Sequence, residues 1–119
     1  MKIILLLCLL LPLHLWASWT AEITLGVDGE TLKTEATKFE NGKEKILELA
    51  KRYLLKLTFN KGEGAAVDVA YTLSEKKGKI ETLVTKGEES VDQKASSEIF
   101  AKGELNQPNT IITIKFNKI

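Results

Sequence analysis

Residues 53–73 read YLLKLTFNKGEGAAVDVAYTL. Tyr53, Leu55, Leu57 and Phe59 alternate with Leu54, Lys56 and Thr58, and Val67, Val69, Tyr71 and Leu73 alternate with Asp68, Ala70 and Thr72. A period of two places each apolar set on one face of a strand, so the stretch predicts an antiparallel hairpin half-buried against a core. The loop Asn60–Gly64 carries two glycines, the residues a reversing chain uses where side chains are tolerated poorly. Pairing Phe59 with Ala65 sets Leu57 opposite Val67, Leu55 opposite Val69 and Tyr53 opposite Tyr71. Every apolar position is then matched across the pair.

The same logic extends in both directions. Upstream, AEITLGVDGETLKTEATKF (residues 21–39) alternates through Ile23, Leu25 and Val27 and turns at Asp28-Gly29, a pair suited to the left-handed angles of a two-residue hairpin. That turn sets Val27 against Glu30, Leu25 against Leu32 and Ala21 against Ala36. Downstream, the charged turn SEKKGK leads into IETLVT (residues 80–85), with Ile80 and Val84 returning to the face of Leu73 and Val69. Residues 87–105 offer few apolar anchors, and a short strand near 97–102 is expected inside a loose, solvated connection. Pro108 marks the loop before a closing strand, Ile111–Phe116.

The stretch 42–54, GKEKILELAKRYL, is open to two readings. Its strong helix formers and its apolar Ile46, Leu47, Ala50, Tyr53 and Leu54 match helical spacing. It reads equally as a strand over Lys45–Leu49 that turns at Lys51-Arg52. The likeness of YLLKLTFNK (53–61) and TIITIKFNK (110–118), which share apolar alternation and an identical Phe-Asn-Lys ending, raises the prospect of an internal repeat, each half running strand, charged turn, strand, connector and closing strand. Such a repeat favours strand at Lys45–Leu49. The expected fold is therefore mainly β, a small antiparallel sandwich or meander of about 7–8 strands; the alternative is an α+β domain with one helix near 43–52 packed on an antiparallel sheet.

The opening MKIILLLCLLLPLHLWAS joins a positive residue, Lys2, to an apolar run from Ile3 to Leu11, a break at Pro12 and a small residue, Ala17. This is the layout of a secretory signal peptide, with the cut expected between Ala17 and Ser18. The run is interrupted before the roughly 20 apolar residues of a membrane-spanning helix, so no stable membrane anchor is expected after cleavage. Cys8 lacks the small neighbours of a lipidation site and reads as one more apolar residue of that segment. Residues 18–119 then form one domain of 102 residues with balanced charge. A balanced surface carries no electrostatic footprint for nucleic acid. The chain contains no Asn-x-Ser/Thr site and no cysteine beyond Cys8, which leans towards a bacterial periplasmic or secreted setting.

Loss of residues 1–17 also removes the single histidine, His14, together with Cys8 and Met1. Ser-His, Cys-His and zinc-ligand arrangements cannot then be built. Glu88, Glu89 and Asp92 form the densest acidic run, but neighbours on a strand face opposite ways, so the run reads as solvated surface. Asp28, Asp68 and Asp92 lack calcium-loop spacing, and KGEGAA lacks the spacing of a phosphate loop. No catalytic residue, cofactor or metal site is expected. Two residues are kept as partner-binding candidates. Trp19 follows the expected cut and either caps the core or meets a partner; Arg52, the single arginine, either anchors a partner's carboxylate or sits in a solvated turn. The expected role is non-catalytic: an exported domain that binds an unknown protein through a strand edge or loop, or acts as an accessory domain. A structural subunit of an envelope assembly is the alternative reading, and a carboxylate-dependent enzyme a distant one.

Overall fold

Residues 17–104 and 106–117 are described by the computed structural model, and they form nine strands with no helix. The expected signal segment, apart from Ala17, lies outside the described residues. One sheet gathers both ends of the domain. Its central strands are β1 (Ser18–Val27) and β9 (Thr110–Phe116), with β8 (Ser97–Ala101) beyond β9. Along the other side of β1 lie β2 (Glu30–Lys33) and β3 (Thr37–Glu40), each pairing with a different part of it. We call this the terminal sheet. The middle sheet runs β4 (Glu44–Leu49), β5 (Tyr53–Lys61), β6 (Ala66–Lys77) and β7 (Ile80–Asp92), in chain order.

Alternation along the strands builds the core between the sheets. Ala21, Ile23 and Leu25 of β1 and Ile112 and Ile114 of β9 face Leu55, Leu57 and Phe59 of β5 and Val67, Val69 and Leu73 of β6, all fully buried. Phe59 centres an aromatic cluster: its ring stacks on Phe39 at 4.2 Å and meets Trp19 at 5.9 Å and Phe116 at 5.7 Å. Segment 43–52 is the strand β4 and its turn, so the α+β alternative is not needed. Leu47 and Leu49 point inward and Ile46 outward, the separation a two-residue period imposes and a helix would not.

Three registers differ from the sequence expectation. Phe59 lies opposite Val69, not Ala65, and Leu57 and Leu55 lie opposite Tyr71 and Leu73. The partner moves by four residues, an even number, so every side chain keeps its face; apolar matching cannot separate the two registers. The tight turn does, because the Ala66 N–H donates to the Glu63 carbonyl and the Gly62 N–H to the Ala66 carbonyl, each at 3.0 Å, with Gly64 at φ 60°.

In the first hairpin Leu25 does face Leu32, but Ala21 lies opposite Thr37 and not Ala36. Thr34 interrupts the ladder: its Oγ1 accepts from the Ile23 N–H at 3.1 Å while its own N–H donates to the Ile23 carbonyl. The one-residue slip turns Phe39 inward, opposite Trp19. This break also divides one expected strand into β2 and β3, which accounts for the ninth strand.

The third difference is β7, which continues through residues 86–92 where a loose connection was expected, and whose Ile80 is exposed. A bulge between Leu73 and Ser74 leaves Val84 without a ladder partner, so Val84 and Thr85 are buried in succession. The charged residues of 86–92 are compatible with a strand because its partner β6 supplies the backbone pairing and the sheet edge leaves them in water.

The repeat suggested by the closing strands reappears in the topology. Exchanging β1, β2, β4 and β5 with β6, β7, β8 and β9 converts the order β2-β1-β9-β8 into β7-β6-β5-β4, so each sheet maps onto the other. The backbone follows the same rule. Asn41 N–H donates to the Ala17 carbonyl and Lys43 N–H to Glu40; the equivalent Gln93 N–H donates to Ala65 and Ala95 N–H to Asp92. Each half's closing strand pairs with the opening strand of the other half, β5 with β6 and β9 with β1.

Candidate functional site

Arg52 ends the β4–β5 turn, where Ala50 and Lys51 both hold left-handed angles, φ 55° and 56°. Its Nε donates to Glu75 Oε2 at 2.7 Å, and its Nη1 donates to Glu30 Oε1 at 3.3 Å. Its guanidinium lies 5.0 Å from the centre of the Tyr53 ring. Glu30 belongs to the terminal sheet and Glu75 to the middle sheet, so Arg52 joins the two at one end of the sandwich. The Arg52 hydrogen bond holds the Glu75 carboxyl below its usual range, and the same bond raises the Arg52 pKa. Burial pushes the Tyr53 hydroxyl up despite the nearby cation.

Trp19 lies at the opposite end, separated from Arg52 by the length of β1. It is 8% exposed, and its indole Nε1 donates to Gln93 Oε1 at 3.1 Å. That bond satisfies the ring's one donor while the rest of the indole packs on Phe59, the position of a core cap. The two candidates are thus not brought together. Asp68, Glu88, Glu89 and Asp92 are exposed on β6 and β7. Among the described residues no group of three His, Cys, Asp or Glu side chains is placed to hold a metal ion.

A concavity lies on the outer face of the terminal sheet, a cleft of about 690 Å³ between the Asp28-Gly29 turn and the start of the β8–β9 loop. Its floor is one cross-strand row: Thr31 of β2, Gly26 of β1, Ile111 of β9 and Phe100 of β8 stand opposite one another in turn. Phe100 is 71% exposed and Ile111 40%. Gly26 has no side chain to fill the row beside Ile111. Sequence reasoning passed over this row, although a signal was present: Ile99-Phe100-Ala101 and Ile111-Ile112 are consecutive apolar residues on strands, so one of each set must face water.

A second polar feature lies under this end of the sheet. Thr110 is buried, and its hydroxyl has no hydrogen-bond partner among the described residues. An apolar cleft with a charged rim can hold an apolar group, and the Arg52 cluster ties two sheets together. Searches of protein-family models, of curated proteins and of solved structures return no match for this chain.

Proposed function

We propose that this chain works outside the cytoplasm, in the bacterial periplasm or extracellular space, as a non-catalytic protein-binding or accessory domain that takes an extended segment of a partner protein along β4. One observation supports the reading most directly: β4 ends the middle sheet, and Ile46 at its centre is 55% exposed. A strand edge carries unpaired backbone donors and acceptors, so addition of a further strand needs no special side chains. Self-pairing of β4 is disfavoured by its own charges. In the antiparallel register centred on Ile46, Glu44 of one copy meets Glu48 of the other. A partner strand with basic residues at those two places and an apolar residue between them is matched.

The test is affinity capture from an envelope extract with the wild-type domain and with Ile46→Pro, which removes a backbone donor from the edge. A protein retained by the wild type and lost by the folded variant is the expected result. Equal retention by both removes the β4 reading. Export is tested by mass spectrometry of the secreted protein, which should lack Met1–Ala17.

A further inference from the structure

We infer that the outer face of the terminal sheet is the docking surface for a second copy of this chain, forming a two-fold dimer about the row Thr31–Gly26–Ile111–Phe100. This goes beyond the partner binding proposed above and uses a different surface. The first support is the contrast between the two outer faces. The middle sheet carries charges on the outer face of every strand, Glu48, Lys56, Asp68 and Lys86 among them, interspersed with the exposed Ile46 and Leu83. The terminal sheet instead has an uncharged centre, where Thr31, Gly26, Ile111 and Phe100 lie beside Thr24 and Thr113. Charge depletion around an exposed aromatic residue is the composition of an interface centre.

The internal repeat sharpens the contrast. Position 100 of β8 corresponds to position 48 of β4, counted from the shared pairing with the closing strands, and position 26 to position 74. The solvated half therefore carries Glu48 and Ser74 where the other half carries Phe100 and Gly26. The charge difference is confined to the end of the row, Glu48 against Phe100, while Ile111 and Thr31 correspond to Leu54 and Leu83.

Charge complementarity identifies the occupant. Consider a two-fold axis in the plane of the face, along the row and perpendicular to the strands. It lays β8 antiparallel over β8 of the second copy and sets the row against itself. Glu98 and Lys102 flank Phe100 two residues away on either side, and both are exposed. Under this axis each Glu98 faces the other copy's Lys102. On the far side of the row Lys33, paired with Thr24, faces the Asp28 turn of the second copy. Among the described residues Glu98, Lys102, Lys33 and Asp28 take part in no ion pair within the chain. Both flanks therefore match by the same operation, as an isologous contact requires.

The experiment is sedimentation equilibrium of the purified protein across a micromolar to millimolar series. The wild type should approach twice its monomer mass, and Phe100→Asp should raise the dimer dissociation constant at least roughly tenfold. Glu98→Lys and Lys102→Glu should each self-associate less than wild type, because each places like charges across the axis. Mixing the two single variants, or combining them in one chain, should restore dimerisation, which a merely destabilising substitution could not do. A wild-type mass that stays at one copy throughout, a dimer indifferent to Phe100→Asp, or charge variants that fail to complement would overturn the proposal.

Discussion

Gly87 and Tyr71 show how one missing carbon permits a core. They are direct cross-strand partners on β7 and β6, and a Cβ built on Gly87 would collide with the Tyr71 hydroxyl and ring. Tyr71 is held in place by its buried ring, so it cannot swing aside freely; burial, and then nearby Glu89, also raise its hydroxyl pKa. Gly87→Ala should lower the unfolding free energy by about 1–3 kcal/mol, the cost of overpacking, measured by urea denaturation. Thr110 gives the opposite sign. Its buried hydroxyl lacks a partner among the described residues, so Thr110→Val, which keeps shape and removes the polar atom, should stabilise the domain by about 1 kcal/mol. An unchanged or lower denaturation midpoint for that variant would show that the hydroxyl is satisfied.

At the scale of elements, turns and bulges settle what alternation leaves open. The β4–β5 turn places Ala50 and Lys51 in left-handed conformations that glycine and asparagine tolerate far better. The double substitution Ala50→Asn with Lys51→Gly should stabilise the domain by about 1 kcal/mol, read as a higher thermal midpoint with unchanged circular dichroism. The strands themselves were largely legible. β1, β5, β6 and β9 each show apolar alternation over several residues, and β4 was legible only as one of two readings because Ile46-Leu47 fits either period. The β5–β6 register was not legible, since an even shift preserves every face. Nor was the slip at Thr34: a side-chain oxygen replaces a backbone group there, a substitution that leaves no periodic trace.

Over the whole molecule, Arg52 couples the sheets through Glu30 and Glu75. Because the folded pKa of Glu75 lies below its ordinary value of 4.5, the native state favours the ionised form. The resulting stability is present above that ordinary value and is lost as pH falls through the lower folded value. Glu75→Gln should therefore lower the thermal midpoint at about pH 7, and the gap from wild type should close as pH falls through that lower folded value. A gap that persists undiminished in acid would assign the loss to packing. Of the two sequence-derived candidates, Arg52 occupies this clamp and Trp19 the aromatic cluster; the uncharged row on the terminal sheet was visible only as surplus apolar residues.

The amino-acid sequence by itself favoured a mainly β fold and determined the inward and outward faces of the main strands and the likeness of the two closing strands, because each is carried by residues close together in the chain. Tertiary structure alone decided that the halves interleave, with β5 pairing to β6 and β9 to β1, and that Phe100, Ile111 and Gly26 share one face. Those residues come from three strands separated along the chain. Only the long-range pairing of β1, β9 and β8 sets them side by side, and local periodicity carries no information about which distant strand becomes a neighbour.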